Sequence, residues 1–351
     1  MKTSNFIVRI AAIGLALAAQ AAWSQAVPTR AATSELPPLN GPVVKTKQGK
    51  VQGFVANDVA VFRGLPFAAA PVGDLRWREP KAPAKWSEVR AGNAFGGQCA
   101  DTEDCLYLNI YEPADAKPNA KLPVMVWIHG GAFVFGAGSV YDGSQFARQG
   151  VIVVTVNYRL GRAGWFAHPA LTKESPKGLL GNYGIMDQIS ALEWVHDNIA
   201  NFGGDTKNVT IFGESAGAIS INYLMLAPQA RGLFSKAIAE SGFGRMGVPP
   251  LHADAGVISA EQNGLAFAEK HGIAGSDAAA AKALRALSLA DLKSGVGGIG
   301  AVDAPVPIAD GKMIVESAVP GFVKAKQARV PYLVGGNSDE ASLTRRSTNA
   351  V

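Results

Sequence analysis

The sequence predicts an α/β protein, a three-layer sandwich built on a mostly parallel central sheet. Five apolar runs, LPVMVWIHG (122–130), GVIVVTVNY (150–158), NVTIFGES (208–215), SKAIAESG (235–242) and VPYLVGGN (330–337), each end in glycine or polar residues. Strands buried on both faces read this way. Helical patterns lie between them, and strands alternating with helices imply a parallel sheet covered on both sides. The 351 residues are 48% hydrophobic and 17% charged, with 40 Gly and 20 Pro, so there is ample core and disorder is excluded.

Residues 1–26, MKTSNFIVRIAAIGLALAAQAAWSQA, have a basic start (Lys2, Arg9) and an apolar segment from about Ile10 to Ala19. Small residues suit cleavage after Ala21 or Ala26. The apolar run is shorter than the ~20 residues of a membrane span, so the segment reads as a secretory leader rather than an anchor. Export to the periplasm or medium, with no stable span after cleavage, is the expectation. Removing Lys2 and Arg9 lowers the formal net charge from +5 to +3. That mild basicity names no partner, and without a Lys/Arg-rich run no nucleic-acid partner is expected. Residues 27–40, VPTRAATSELPPLN, read as a Pro-containing linker, and 41–351 as one domain.

Short alternating runs, GKVQGFV and VAVFRGLPF, open the domain as strands. The pair Cys99 and Cys105 follows in GGQCADTEDC. An oxidising compartment favours a disulfide closing a small loop, with free thiols as the alternative. A metal pair is disfavoured without His or further Cys nearby. In GNYGIMDQISALEWVHDNIANFGG, residues Ile185, Ile189, Leu192, Val195 and Ile199 recur at helical spacing until Gly203 and Gly204 stop the run. AAAAKALRALSLADLKS (278–294) reads as a helix or helix pair.

Chemistry concentrates where VTIF runs into GESAG. This is the G-x-S-x-G pattern of a nucleophile elbow, a serine on a sharp strand-to-helix turn. It marks Ser215 as the nucleophile and Ala216 N–H as an oxyanion donor. WIHGGAF (127–133) supplies the other donors at Gly130 and Gly131, with a plain strand-ending turn as the alternative. His129 reads as structural, orienting that loop.

With EDCLYLNIY, MVWIHGGAFVFGAGS, VTVNYRLG, FRGLPFAAAPVGDLRW and the long segment through GESAGA, the sequence resembles the type B carboxylesterases, the α/β-hydrolase branch that also holds the cholinesterases. The resemblance runs from about residue 40 to the last residues. It implies an α/β-hydrolase sheet, a small-molecule ester as substrate, hydrolysis through an acyl-enzyme on Ser215, and no metal or organic cofactor. It also implies that Cys99 pairs with Cys105, that Ala132 shares the oxyanion role with Gly130, Gly131 and Ala216, and that Glu340 in GGNSDEAS is the triad acid. A loop after a strand, downstream of the serine, suits an acid in the chain order Ser, acid, His. Asp339 is the rival. Glu214 is expected to turn its side chain away from that of Ser215.

The triad's base has no match. The family's histidine comes well after its acid, yet ASLTRRSTNAV follows Glu340 without one, and His129, His168, His196, His252 and His271 match no such position. A last strand and closing helix are also missing from the pattern. The sequence therefore reads as a family member incomplete at its C-terminus, expected to fold poorly or to be nearly inactive alone. Competing functional readings are a non-catalytic binding protein of the same fold, or an amidase or lactonase using the same residues.

Overall fold

The computed structural model describes residues 35–340 apart from 176, 177, 179, 243, 255 and 298–303. The expected leader (1–26), most of the linker and residues 341–351 lie outside the described residues. The main body begins at Pro37. Its small sheet holds β1 (Val43–Lys45), β2 (Lys50–Gln52) and β5 (Arg90–Ala91). Its large sheet holds β3 (Phe54–Ala56), β4 (Val59–Pro66), β6 (Tyr107–Pro113), β7 (Leu122–Ile128), β8 (Ile152–Val156), β9 (Gly204–Glu214), β10 (Lys236–Glu240) and β11 (Tyr332–Gly335).

The strand order is β11-β10-β9-β7-β8-β6-β4-β3. From β11 to β8 every pairing is parallel, and from β8 to β3 every pairing is antiparallel. All five apolar runs are strands of the parallel part, so their carboxyl ends, where loops enter helices, share one edge. Burial follows position in the sheet. Central β8 is buried along its whole length. β11 is not, with Leu333 at 64% and Val334 at 65% exposure. The expectation of burial on both faces fails there because β11 has one strand neighbour, β10, among the described residues.

The helix Tyr183–Asn198 covers the sheet. Sequence periodicity suggests an amphipathic helix, yet its polar residues Asp187, Gln188 and Asn198 are buried too. Each has a partner. Asp187 takes Arg159 in a two-pronged ion pair at 2.8 Å per contact and accepts the Arg159 N–H at 2.9 Å. Gln188 donates to Ser220 Oγ, although its Oε1 has no partner among the described residues, and Asn198 Oδ1 accepts from Lys47 N–H. Paired polar groups such as Asp187 and Asn198 can be enclosed at little net cost. A short 3₁₀ turn, Ile199–Phe202, ends at Gly203 with φ 89°, the left-handed stop the glycine pair predicts. Residues 278–294 form the pair Ala278–Ala286 and Leu289–Lys293, the second opened by the capping box of Ser288 and Asp291.

Cys99 and Cys105 are joined in a disulfide, both buried. Asn157, just past β8, fastens this loop by donating to the carbonyls of Gly97 and Cys105, each at 2.9 Å, while its oxygen accepts from Gly138 N–H at 2.8 Å. No helix among the described residues is long and apolar enough to cross a membrane.

One buried acid has no evident structural use. Glu112 on β6 shares a strand face with Leu108 and Ile110, is 3% exposed, and has an Oε2 without a hydrogen-bond partner among the described residues. Burial pushes its carboxyl up to about 9. The folded state therefore binds a proton that the unfolded chain releases near 4.5, and stability falls as pH rises from about 4.5 to about 9. Glu112→Gln is expected to leave stability at pH 5 within about 0.5 kcal/mol. At pH 8 it should stabilise by at least about 1 kcal/mol, read from urea midpoints at the two pH values.

Candidate active site

The elbow is shaped by what its glycines permit. A Cβ on Gly213 would lie 2.6 Å from the carbonyl oxygen of Ile128, and one on Gly217 would lie 2.0 Å from that same oxygen. No side chain fits at either position, so the backbone of β9 and the start of the helix Ala216–Leu226 close directly onto the end of β7. Ser215, between them, takes φ 55° and ψ −120°, a conformation L-residues rarely adopt. It is held there by its N–H donating to Glu240 O and its carbonyl accepting from Ile219 N–H, each at 2.9 Å.

The loop after β7 lies against this turn. A Cβ on Gly130 would stand 2.7 Å from Glu214 O and 3.1 Å from Ser215 Cβ. Gly131, Ala132 and Phe133 all have positive φ, of 101°, 55° and 62°. Val134 and Phe135 N–H both turn back onto Gly131 O, at 2.9 and 3.1 Å. The N–H groups of Gly131, Ala132 and Ala216 have no acceptor among the described residues. For Ala216 this follows from its place at the first position of a helix, where N–H groups lack intrahelical acceptors.

His129 braces the loop as expected. Its ring is fully buried and stacked on Tyr158 at 4.3 Å, and Nδ1 lies 2.8 Å from Gly130 O. Because that carbonyl only accepts, Nδ1 carries the proton. Burial pushes the imidazole down to about 4, which keeps it neutral at ordinary pH. Tyr158 donates its hydroxyl to His129 O at 2.6 Å, a support that sequence reading misses because the two residues meet only in the fold.

Glu340 lies just beyond β11. Its Oε1 accepts from the Ser241 hydroxyl and, at 2.7 Å, from Asn337 N–H. These donors, Ser241 first, hold its carboxyl below the ordinary range. The rival Asp339 is exposed. Ser241 was not singled out in the sequence. It follows β10 with φ 54°, and its N–H donates to Gly335 O at 2.8 Å, as that of Ser215 donates to Glu240 O. Each strand end thus hands a hydrogen bond to the next, and Ser215, Ser241 and Glu340 follow adjacent strands. The only signal in sequence is a Ser-Gly at the end of an apolar run.

Glu214 Oε2 lies beside the HGG loop, 2.9 Å from the point a Gly130 Cβ would occupy. Burial, then the charges of Glu340 and Glu240, raise its carboxyl.

All five histidines are among the described residues, and each is engaged elsewhere. His168 Nδ1 accepts from Ala170 N–H at 3.2 Å, and His252 Nδ1 lies 2.8 Å from Glu261 Oε2. His271 packs on Phe267 at 4.6 Å, while His196 lies 3.9 Å from Asp197 on an exposed helix face. None is hydrogen-bonded to Ser215 or Glu340.

The elbow's dependence on space is testable. Gly217→Ala is expected to cost about 2–3 kcal/mol, since the clash is with backbone. Gly244→Ala, where a Cβ meets nothing within 4 Å, should stay within about 0.5 kcal/mol. Urea unfolding of both variants checks this.

Comparison with known proteins places this geometry. The carboxylesterase family model matches residues 40–350. Fumonisin B1 esterase from Sphingopyxis macrogoltabida is 42% identical over 335 residues, covering 90% of this chain and 58% of that protein. Para-nitrobenzyl esterase from Bacillus subtilis is 48% identical over 221 residues, covering 58% of this chain and 44% of that protein. The chain thus spans well under two thirds of these relatives' length. Among solved structures, the Geobacillus stearothermophilus carboxylesterase EST55 aligns with a TM-score of 0.75 at 37% identity, over 86% of this chain and 62% of that one. With the family model matching nearly all of the main body and the fold matching solved esterases, the chain belongs to the carboxylesterase family.

Proposed function

We propose that this chain carries the acyl-transfer framework of a carboxylic ester hydrolase, with Ser215 as nucleophile. The observation that carries the reading is the approach of Gly130 to Ser215, which brings a loop whose Gly131 and Ala132 N–H groups have no acceptor among the described residues against a strained serine. In this reading Ser215 Oγ attacks the ester carbonyl. The carbonyl oxygen becomes an oxyanion that receives the N–H groups of Ala216 and of the Gly130–Ala132 loop. The Oγ proton passes to a base, imidazole in the complete triad, and returns to the leaving alkoxide as the C–O bond breaks; water then cleaves the acyl-serine, releasing the acid and restoring the serine hydroxyl. Glu340, kept ionised by Ser241 and Asn337, is the acid that orients and stabilises an imidazolium. This chain's own histidines do not supply that imidazole. Acting alone it retains oxyanion stabilisation without a base, the kind of residue that leaves ~10³–10⁴-fold catalysis over water in serine hydrolases stripped of a triad member. The leader-like residues 1–26 and the disulfide support an exported protein, periplasmic or extracellular.

Hydrolysis of p-nitrophenyl acetate, with and without added imidazole, tests the reading. The full chain should turn over slowly, and imidazole should raise its rate saturably above the background of imidazole alone. Ser215→Ala should remove both the slow rate and the rescue. Equal rates for the two proteins would refute the nucleophile. Fast turnover without imidazole, lost on replacing one of the five histidines, would refute the missing base.

A further inference from the structure

A cavity of about 980 Å³ is lined by neither Ser215 nor Glu340. One wall is the helix Ala260–Lys270, which turns Ala260, Asn263, Gly264, Phe267 and Lys270 inward at three- and four-residue steps. The Ser259–Gln262 capping box fixes where this helix starts. Gly264 fixes how close it packs, since a Cβ there would meet Ala167 O at 1.8 Å. The wall is therefore set by backbone contact rather than by mobile side chains.

The rest of the lining is largely apolar and includes Trp165, Phe166, Met246, Val306 and Ile308. At the mouth, Val257 and Ile258 stand side by side at 55% and 54% exposure. Adjacent β-branched residues left this open suit an apolar ligand chain. The charge is one-sided. Among the described residues of the lining are the cations Arg162 and Lys270, with no Asp or Glu. Arg162 lies over the Phe267 ring at 4.5 Å and donates to the carbonyls of Leu292 and Ser294, which ties the helix pair after residue 278 to the cavity rim. Lys270 is exposed and has no ion pair among the described residues.

We infer that this cavity binds a medium-chain carboxylate, its chain against Phe166 and Val306 and its head at the Lys270 ammonium. The volume sits at the upper end of the roughly 300–1,000 Å³ of small-molecule sites, which leaves room for an acid of roughly eight to ten carbons. The inference goes beyond ester cleavage and does not need it, because Ser215 takes no part in the binding.

Calorimetric titration of the full chain with octanoate and with 1-octanol tests it, with circular dichroism as the fold control. Octanoate should bind about fivefold tighter than octanol, the scale of an exposed ion pair. That advantage should fade in high salt. Lys270→Glu should abolish it while leaving octanol affinity unchanged, and Val306→Trp should weaken both ligands. Ser215→Ala should bind both as the parent does, which separates a failure here from a failure of the esterase reading. Equal affinities in the parent chain, binding of neither ligand, or octanoate affinity unmoved by Lys270→Glu would each overturn the inference.

Discussion

The contact on which the site depends is between backbones: the end of β7 against the turn that follows β9. Ile128 O is crowded by Gly213 from one side and Gly217 from the other, and Gly130 meets Glu214 and Ser215 directly. Any side chain at these glycines would push the two strand ends apart. Because β7 and β9 are parallel neighbours in register from Val124↔Val209 to Ile128↔Gly213, they deliver their loops to the same edge at the same height. The strained φ of Ser215 follows from that closeness, since the chain must reverse into a helix within one residue.

The proposed acid, Glu340, is placed by a different device. Hydrogen bonds step from Ser215 to Glu240 and from Ser241 to Gly335, so β10 and β11 carry position outward from the elbow one strand at a time. Ser241 then turns its hydroxyl onto Glu340, with Asn337 N–H as the second donor. Glu340 is held ionised by its donors, whereas Glu214 is raised by burial and by the charges of Glu340 and Glu240.

What sequence reveals here tracks how local the cause is. The apolar runs of β7 through β11 are legible because a buried parallel strand requires apolar residues throughout, and GESAG is legible because steric crowding leaves no alternative to glycine. The exposure of Leu333 and Val334 is not legible, since an edge strand and a central one can share the same composition. The burial of Asp187, Gln188 and Asn198 on the helix Tyr183–Asn198 is likewise hidden, because their partners Arg159, Ser220 and Lys47 come from distant parts of the chain. The hydrogen bond of Ser241 to Glu340 depends on strand adjacency, which no spacing within one segment encodes.

The proposed function requires a reactive Ser215 in a prepared oxyanion site, with no imidazole of this chain to activate it. The most direct measurement is the pH dependence of covalent labelling by a fluorophosphonate, with the modified residue identified by peptide mass spectrometry. The account predicts slow labelling confined to Ser215, with no inflection near the ordinary histidine value of about 6.5 and the same rate after replacement of any of the five histidines. Labelling that rises through an inflection near neutral pH and is lost with one particular histidine would contradict it.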